Sequence, residues 1–471
     1  MPQPDAIVVG SGPNGLCAAI VLAQAGWKVT VLEAEPTIGG GVRSAELTLP
    51  GFVHDVCSAV HATAVASPFI STLPLQKYGL EFIDPPAAIA HPFDDGSAAL
   101  VERSVERTAG SLGRDSEAYE RVFGGLQRSW PRIRSAVLGP LRWPEHPLAL
   151  AAFGLRALRS AEAFARSSFV EERTRALFGG IAAHGLVPLD KPLTAGFGLV
   201  LGVMAHVVGW VIPRGGAQKL TDALVAHLRT LGGEVVANHR VSSLDALPSA
   251  RAVLCDLSPR PFLSIAGPRL PSAYRRSLER YRYGMGVFKV DWALDDPIPW
   301  RAPECARAST VHVCGTLPEI VQSEQEAWTG KVPDQPYVLL VQPTLFDQSR
   351  APAGKHTAWA YCHVPGGSGA DMLPRIEAQI ERFAPGFRDR VLARSMMPPA
   401  ALEAHNANYV GGDIGAGIAD VRQFFTRPTW RTYSTPVRGL YLCSAATPPG
   451  VGAHGMCGYF AAKRALADLN P

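Results

Sequence analysis

The chain has 471 residues, of which 47% are hydrophobic and 18% are charged. At ~150 residues per domain, this length provides material for about three core units. The composition excludes an intrinsically disordered chain, which needs low hydrophobicity and high net charge, and it shows no collagen or coiled-coil repeat. The 45 basic and 41 acidic residues leave a net charge of +4, so we expect no nucleic-acid partner.

The eight cysteines do not indicate a metal or dithiol site, because no two of them are spaced as CxxC. The first residues lack both the basic segment and the apolar segment of a secretion signal. We therefore expect free thiols, no bound metal and a cytoplasmic protein.

The first 33 residues have the pattern of a dinucleotide-binding unit. Residues 6–9 and 29–32 are short apolar runs rich in β-branched residues, which is typical of buried parallel strands. Between them, a complete GxGxxG motif opens a stretch of apolar residues at helical spacing. Glu33 ends the second strand, 18 residues after the last glycine of the motif. The motif consists of Gly10, Ser11, Gly12, Pro13, Asn14 and Gly15.

Each part of this unit has a physical role. Gly10 permits the tight turn from strand to helix, Gly12 lets the backbone approach a pyrophosphate, and Gly15 lets the helix pack closely on the sheet. The helix N-terminus offers free N–H groups to phosphates. The Glu33 carboxylate can accept hydrogen bonds from a ribose diol. The sequence therefore predicts a dinucleotide site; the alternative is a unit that kept this shape and lost its ligand.

The residues after Glu33 favour FAD over NAD. Ala34 is followed by a glycine cluster that includes Gly40 and Gly41 and that leads to Arg43. A glycine cluster ending in arginine soon after the ribose-binding carboxylate is typical of FAD folds. The glycines allow close backbone approach to the cofactor, and Arg43 can donate a fork of hydrogen bonds to a phosphate or a flavin carbonyl. The alternative for Arg43 is a surface ion pair.

The remaining parts of such a domain are scattered along the chain. Residues 213–216 precede an amphipathic helical pattern, and residues 234–238 and 252–255 have the pattern of strands. Residues 439–443 are one more short apolar strand, followed by a glycine-rich turn and a last helix. The end of the chain thus repeats the order of strand, glycine turn and helix found at its beginning.

With these motifs the chain resembles the phytoene-dehydrogenase-like flavoproteins, a branch of the FAD-dependent amine oxidase superfamily. The segments that carry the resemblance are residues 10–15, Glu33 and residues 39–43, 49–52, 213–216, 411–414 and 439–462. The resemblance implies FAD held by the first unit, with the backbone of Val241 near the adenine. It also implies that Ser444, Gly450, Val451 and Gly452 lie along the ribityl chain and the flavin ring.

We therefore predict an α/β protein with two domains built from interleaved segments. The expected FAD-binding domain is Rossmann-like and consists of residues 1–62, 213–262 and 401–471. The expected substrate domain is α+β, with a mixed or antiparallel sheet, and consists of residues 63–212 and 263–400. Strand patterns such as residues 288–294 predict that this sheet forms the floor of an apolar cavity. Within the substrate domain, residues 101–175 are predicted to be a helical insert.

Two segments of the substrate domain have sequence patterns that could span or contact a membrane. Residues 192–213 contain no Asp, Glu, Lys or Arg over 22 residues, which is long enough to span a bilayer, but four glycines and a histidine favour burial as a cavity wall. Residues 148–164 are apolar and helical, with charges on one face. This helix suits an anionic membrane surface, and the alternative that we favour is packing on its own domain.

The implied chemistry is hydride transfer from a substrate carbon to flavin, with formation of a double bond. Because only one complete dinucleotide motif is present, the expected electron acceptor is oxygen or a quinone. His454, in the last glycine-rich turn, and His61 are the candidate catalytic residues, since an unperturbed histidine titrates near ~6.5. Both could instead be structural.

We expect an apolar small-molecule substrate. Two other functions stay open from the sequence alone. One is an amine-type oxidase that produces hydrogen peroxide. The other is a flavin-free escort protein for lipidated partners.

Overall fold

The structure is a computed structural model that describes residues 3–469. Its strands are β1 (Ala6–Val9), β2 (Val29–Leu32), β3 (Ser44–Glu46), β4 (Val53–Asp55), β5 (Phe82–Ile83), β6 (Ala87–Pro92), β7 (Ala98–Glu102), β8 (Ile212–Pro213), β9 (Glu234–Val236), β10 (Ala252–Cys255), β11 (Gly286–Leu294), β12 (Ala308–Val313), β13 (Val338–Val341), β14 (His356–Val364), β15 (Val391–Met397) and β16 (Leu440–Leu442). Its α-helices are α1 (Pro13–Gln24), α2 (Ala62–Ala66), α3 (Val105–Gly110), α4 (Ser116–Tyr119), α5 (Gly125–Val137), α6 (Pro147–Ala157), α7 (Ala161–Ser168), α8 (Glu172–Ala183), α9 (Thr194–Val207), α10 (Gln218–Thr230), α11 (Pro259–Ala266), α12 (Ser272–Glu279), α13 (Leu317–Trp328), α14 (Leu373–Phe383), α15 (Pro399–His405), α16 (Val421–Thr426) and α17 (Met456–Leu469).

A parallel five-stranded sheet has the order β9-β2-β1-β10-β16. Along the chain this is third, second, first, fourth and fifth, the strand order of a Rossmann-like fold. The apolar run of β1 is buried on both faces. Ala6 and Val8 pack with residues of α1, α10 and α17, whereas Ile7 and Val9 pack with α11 and α12. This two-sided burial explains why the strand is continuously apolar rather than alternating.

The first and last helices of the described chain cross at very short distance. A Cβ added to Gly458 of α17 would lie 1.7 Å from the Asn14 carbonyl oxygen of α1. Gly15 must also lack a side chain, because a Cβ there would lie 2.1 Å from the Gly10 carbonyl oxygen where α1 packs on the sheet. Both glycines are therefore needed for packing, and Gly10 itself has a φ of +101°, which suits glycine.

A mixed seven-stranded sheet has the order β15-β11-β14-β13-β12-β6-β7. Its neighbours are antiparallel except for β6 and β12, which run parallel. The predicted fold class is confirmed: a parallel Rossmann-like sheet is combined with a mixed sheet and helices. The segments that form the two sheets interleave along the chain, and the domain limits given above remain a prediction.

The apolar stretch at residues 192–213 contains α9, most of which is buried. No helix between residues 3 and 469 is long and apolar enough to cross a membrane. The single helix expected over residues 148–164 is wrong, because the chain breaks between α6 and α7. Ser160 causes the break: its backbone is extended, and its side chain accepts a hydrogen bond from the Ala163 N–H to begin α7.

Candidate functional site

A cavity of about 1250 Å³ opens at the carboxyl ends of β1, β2 and β10. In an open α/β sheet, ligands bind at this edge where the strand order reverses. Here the reversal lies between β1 and β10, which are neighbours in the sheet. The cavity continues over the mixed sheet and is larger than the ~300–1,000 Å³ of a typical small-molecule pocket. It therefore has room for a cofactor and a second molecule.

The GxGxxG loop forms one wall of this cavity in a conformation that excludes side chains. A Cβ on Gly12 would lie 2.5 Å from Asp256 Oδ2, and one on Gly40 would lie 3.0 Å from the Gly12 Cα. Asn14 lines the same wall, and its buried Oδ1 has no hydrogen-bond partner among the described residues. The wall thus offers bare backbone and an unused polar atom, as a bound phosphate-bearing group requires.

Glu33 lies in the cavity wall, and four donors hold its carboxylate. Oε2 accepts hydrogen bonds from the Ser11 N–H, at 3.0 Å, and from the Ser11 hydroxyl. Oε1 accepts from the Glu35 N–H at 3.0 Å and from Arg43 at 3.3 Å. Because a carboxylate has about four acceptor positions, a ribose diol can bind here only if Ser11 Oγ or Arg43 releases Glu33. The buried Arg43 Nε–H has no partner in the part of the chain that the structure describes, so this side chain retains a donor for a ligand.

Asp256, which the sequence analysis did not select, closes the same site. It follows β10, lines the cavity, and accepts a hydrogen bond from the Gly15 N–H at 3.0 Å. Burial, reinforced by the nearby charge of Glu33, raises the pKa of Asp256 to about 7. An acidic residue directly after a strand that ends at this edge is the signal that would have found it.

The last glycine-rich turn forms the opposite wall. Ser444 donates a hydrogen bond to the Leu257 carbonyl at 2.8 Å, which links β16 to the loop after β10. Gly450 and Gly452 have φ values of +115° and +132°, a backbone that side chains rarely adopt. Buried Arg427 lies against this turn and donates to the Ala445 carbonyl at 3.0 Å. Arg427 also lines the cavity and was not selected from the sequence.

The structure separates the two candidate catalytic histidines. His454 lines the cavity, and its Nδ1 accepts a hydrogen bond from the Met456 N–H at 3.0 Å. The ring proton must then be on Nε2. Burial lowers the pKa of His454 to about 4, so the ring is neutral at pH 7 and can act there as a hydrogen-bond donor.

His61 is buried behind the cavity wall and does not line it. Its Nε2 lies 3.4 Å from the hydroxyl of Ser58, which does line the cavity. Burial lowers the pKa of His61 to about 4. Ser58 therefore connects the His61 side chain to the cavity.

The second half of the cavity is apolar. Side chains of β11, β12, β13 and β14 form its floor, and α9 and α6 contribute walls, including Phe197, Met204 and Phe153. On β14, Trp359 and Tyr361 stack with ring centroids 5.7 Å apart. The strand patterns of the sequence predicted this floor, but they gave no signal for the aromatic pair.

Most of the residues predicted from the sequence meet in this one cavity. Those that line it are Gly10, Ser11, Gly12, Pro13, Asn14, Glu33, Ala34, Gly40, Gly41, Arg43, Val241, Ser444, Val451, Gly452 and His454. Gly15, Gly450 and His61 lie behind its surface. Their assignment to a cofactor or to catalysis remains a prediction.

Comparison with known proteins gives the same architecture. A family model described as an NAD(P)-binding Rossmann-like domain matches residues 8–71. Phytoene dehydrogenase of Streptomyces griseus is 29% identical, over 85% of this chain and 81% of that protein. The chain is similar to phytoene-dehydrogenase-like oxidoreductases. The resemblance and the expectation of an oxidoreductase are confirmed.

Two further similarities extend over nearly the whole chain. The mouse protein named pyridine nucleotide-disulfide oxidoreductase domain-containing protein 2 is 26% identical, over 99% of this chain and 94% of that protein. The solved structure of a double mutant of putrescine oxidase has a TM-score of 0.63 at 16% identity, and the match covers 100% of this chain and 99% of that chain. At this identity, the second similarity shows the fold alone.

Proposed function

We propose that this phytoene-dehydrogenase-like protein is an FAD-dependent oxidoreductase that desaturates an apolar substrate, such as a polyene, lipid or hydrophobic secondary metabolite. One observation carries the proposal: a glycine-lined dinucleotide wall and an apolar chamber belong to a single cavity. When bound, FAD would accept a hydride from one substrate carbon, and the neighbouring carbon would release a proton to solvent as the double bond forms. Relatives named phytoene dehydrogenase and phytoene desaturase support a substrate of this class.

The residues of the chain have separate tasks in this proposal. Glu33 binds the ribose, and Asn14 and Arg43 offer an acceptor and a donor to the rest of the dinucleotide. The apolar floor and α9 exclude water from the reacting bond. His454 donates a hydrogen bond from Nε2, because its other ring nitrogen already accepts one from Met456. With oxygen or a quinone as the final acceptor, no second dinucleotide site is needed.

The stacked aromatic pair gives the amine-oxidase alternative its strongest support, since aromatic faces bind cations. Lys289 weakens this alternative. Its ammonium lies 5.6 Å from the Trp359 ring centroid, and Lys289 itself lines the cavity. Lys289 thus already occupies the cation-binding face of Trp359. The escort alternative is opposed by the intact glycine loop and by the unpartnered polar atoms of Asn14 and Arg43.

Peripheral membrane contact is part of the proposal, because an apolar substrate partitions into lipid bilayers and would reach the cavity from there. The exposed patch around α6 contains Leu141, Trp143, Leu148, Leu155 and Leu158. Leu141 and Leu158 also line the cavity, so the patch is continuous with the chamber. Exposed arginines at positions 142, 156 and 159 accompany it. Apolar side chains beside basic ones suit an anionic bilayer.

The test uses purified protein reconstituted with FAD and then made anaerobic. Phytoene in detergent, a long-chain acyl ester and putrescine are offered separately, and flavin bleaching and products are recorded. Bleaching by an apolar compound, with a product two hydrogens lighter, supports the proposal. A protein that cannot take up FAD overturns it in favour of the escort function. Peroxide formation with putrescine alone overturns it in favour of the amine oxidase.

A further inference from the structure

The mostly apolar chamber contains a histidine that the proposed chemistry does not use. His184, at the end of α8, lines the chamber beside Trp210, whose ring lies perpendicular to it at 5.1 Å. Its Nε2 lies 3.0 Å from Nε2 of His312 on β12. His184 Nδ1 has no hydrogen-bond partner among residues 3–469. One ring nitrogen of a cavity-lining histidine is therefore available to a bound molecule.

The packing of His312 determines where the protons of this histidine pair are. Its buried Nδ1 has no hydrogen-bond partner within residues 3–469, and a Cβ on Gly180 would lie 2.6 Å from it. A proton on this nitrogen would be a buried N–H without an acceptor, which is unfavourable by about 1–3 kcal/mol. His312 therefore carries its proton on Nε2 and donates it to His184. Since His184 Nε2 is then the acceptor, the His184 proton is on Nδ1.

The charge of the surroundings specifies the ligand further. Burial, with a smaller contribution from His363, lowers the pKa of His184 to about 3, so this donor is neutral. The cationic Lys289 also lines the cavity, but its ammonium is paired with Asp291. A buried carboxylate would have no unpaired charge at His184 to compensate its desolvation. Thr310, two residues before His312 on β12, adds a second neutral polar side chain to the lining.

We infer that the substrate is an apolar molecule with an uncharged oxygen function, a hydroxyl or a carbonyl, and that the His184 Nδ1–H donates a hydrogen bond to this oxygen. The inference rests on the proposed function, because it takes the chamber as the substrate site. The hydrogen bond from His184 would then favour binding of oxygen-bearing molecules over pure hydrocarbons. His312 is a positioning residue that sets the proton on His184.

The test compares four probes with the same chain length: octane, 1-octanol, 2-octanone and octanoate. Each is titrated into the flavin-loaded protein, and binding is followed by quenching of tryptophan fluorescence, since Trp210 and Trp359 line the cavity. In His184→Phe, we expect 1-octanol and 2-octanone to bind about three- to tenfold more weakly, as for the loss of one neutral hydrogen bond. Octane should bind as before, and His184→Gln should restore part of the loss because its amide N–H can donate.

The control is His227→Phe, a replacement of the same kind on α10 outside the cavity, which should change none of the four affinities. Equal weakening for octane and 2-octanone overturns the inference, as does the tightest binding for octanoate or no saturable quenching by any probe. Visible absorbance reports flavin content separately. If the protein binds no flavin but still prefers the oxygen-bearing probes, the proposed function fails and the assignment of His184 stands.

Discussion

Protonation of Asp256 links the candidate site to the pH dependence of the free energy of unfolding. Its folded-state pKa, about 7, is above the ordinary value of 3.8 because it is buried next to Glu33. The protonated form is therefore favoured by folding. The resulting stabilisation is complete below about pH 4 and is lost as the pH rises through 7.

Replacing Asp256 by Asn should remove this pH dependence. For flavin-free protein at pH 8, we expect Asp256→Asn to raise the free energy of unfolding by about 1–3 kcal/mol over the unchanged protein, with the difference shrinking toward pH 5. Urea unfolding at both pH values measures it. Asp389→Asn, at an exposed position, is the control and should show no such trend. A pH-independent difference for Asp256→Asn would contradict the prediction.

Substitutions at Glu33 and at Gly12 test the proposed cofactor-binding wall in two independent ways. Glu33→Ala removes the ribose acceptor, and Gly12→Val places a side chain where a Cβ would already lie 2.5 Å from Asp256 Oδ2. We expect both variants to be purified largely without flavin, measured by visible absorbance per protein. Glu46→Ala removes an exposed carboxylate on β3 that does not line the cavity and should leave flavin content unchanged. Full occupancy in the first two variants would count against the site.

His454 is expected to influence the reaction more than cofactor binding. Its neutral ring can donate from Nε2 within the cavity but is not among the four donors that hold Glu33. His454→Ala should slow flavin reduction about tenfold, as for the loss of one neutral hydrogen bond of up to ~1.5 kcal/mol, with flavin content retained. Stopped-flow reduction by a substrate found as described above provides the rate. An unchanged rate would remove His454 from the mechanism.

At the scale of elements, the crossing of α1 and α17 is the contact least able to accept a side chain. In Gly458→Ala, the new Cβ meets the Asn14 carbonyl, and the helices must separate. We expect the free energy of unfolding to fall by about 1–3 kcal/mol, although alanine favours a helix by about 1 kcal/mol over glycine.

The matched control for this prediction is Gly125→Ala at the start of α5. A Cβ there meets nothing within 4 Å, so only the helix propensity changes and the protein should become slightly more stable. Thermal unfolding of both variants gives the comparison. Equal effects at the two positions would show that the crossing is looser than the structure indicates.

Sequence patterns over a few residues correctly predicted the strands that short apolar runs specify. Strands β1, β2 and β10 have the predicted limits, because continuous apolar runs between turn residues leave few alternatives. The break between α6 and α7 was missed, since Ser160 within an apolar helical pattern gives only a weak signal. Asp256 and Arg427 were missed for a different reason. Asp256 meets Gly15 across 241 residues, and Arg427 donates to the Tyr281 hydroxyl across 146 residues. No sequence spacing reports either contact.

At the scale of the whole molecule, the patch around α6 should bind anionic membranes. Leu148 and Leu155 are 86% and 76% exposed, and each buried leucine contributes about 1.5–3 kcal/mol. The double variant Leu148→Glu/Leu155→Glu should therefore bind at least tenfold more weakly to vesicles of phosphatidylcholine with phosphatidylglycerol, measured by sedimentation.

Leu392→Glu on β15 is the control for the vesicle experiment, because Leu392 is also an exposed leucine but lies outside the patch. It should bind as the unchanged protein does. If the unchanged protein does not sediment with the vesicles, or if Leu392→Glu weakens binding to the same extent, α6 is not a membrane-contacting helix.

The position of β16 at the edge of the parallel sheet affects how the protein matures in the cell. The wall that contains Ser444 and Gly452 follows this strand, which pairs with β10 almost 190 residues earlier in the chain. Ribosomes synthesise the polypeptide from its N-terminus, at about 5–20 residues per second. The nascent chain therefore lacks this wall of the cavity until the residues after β16 have been synthesised.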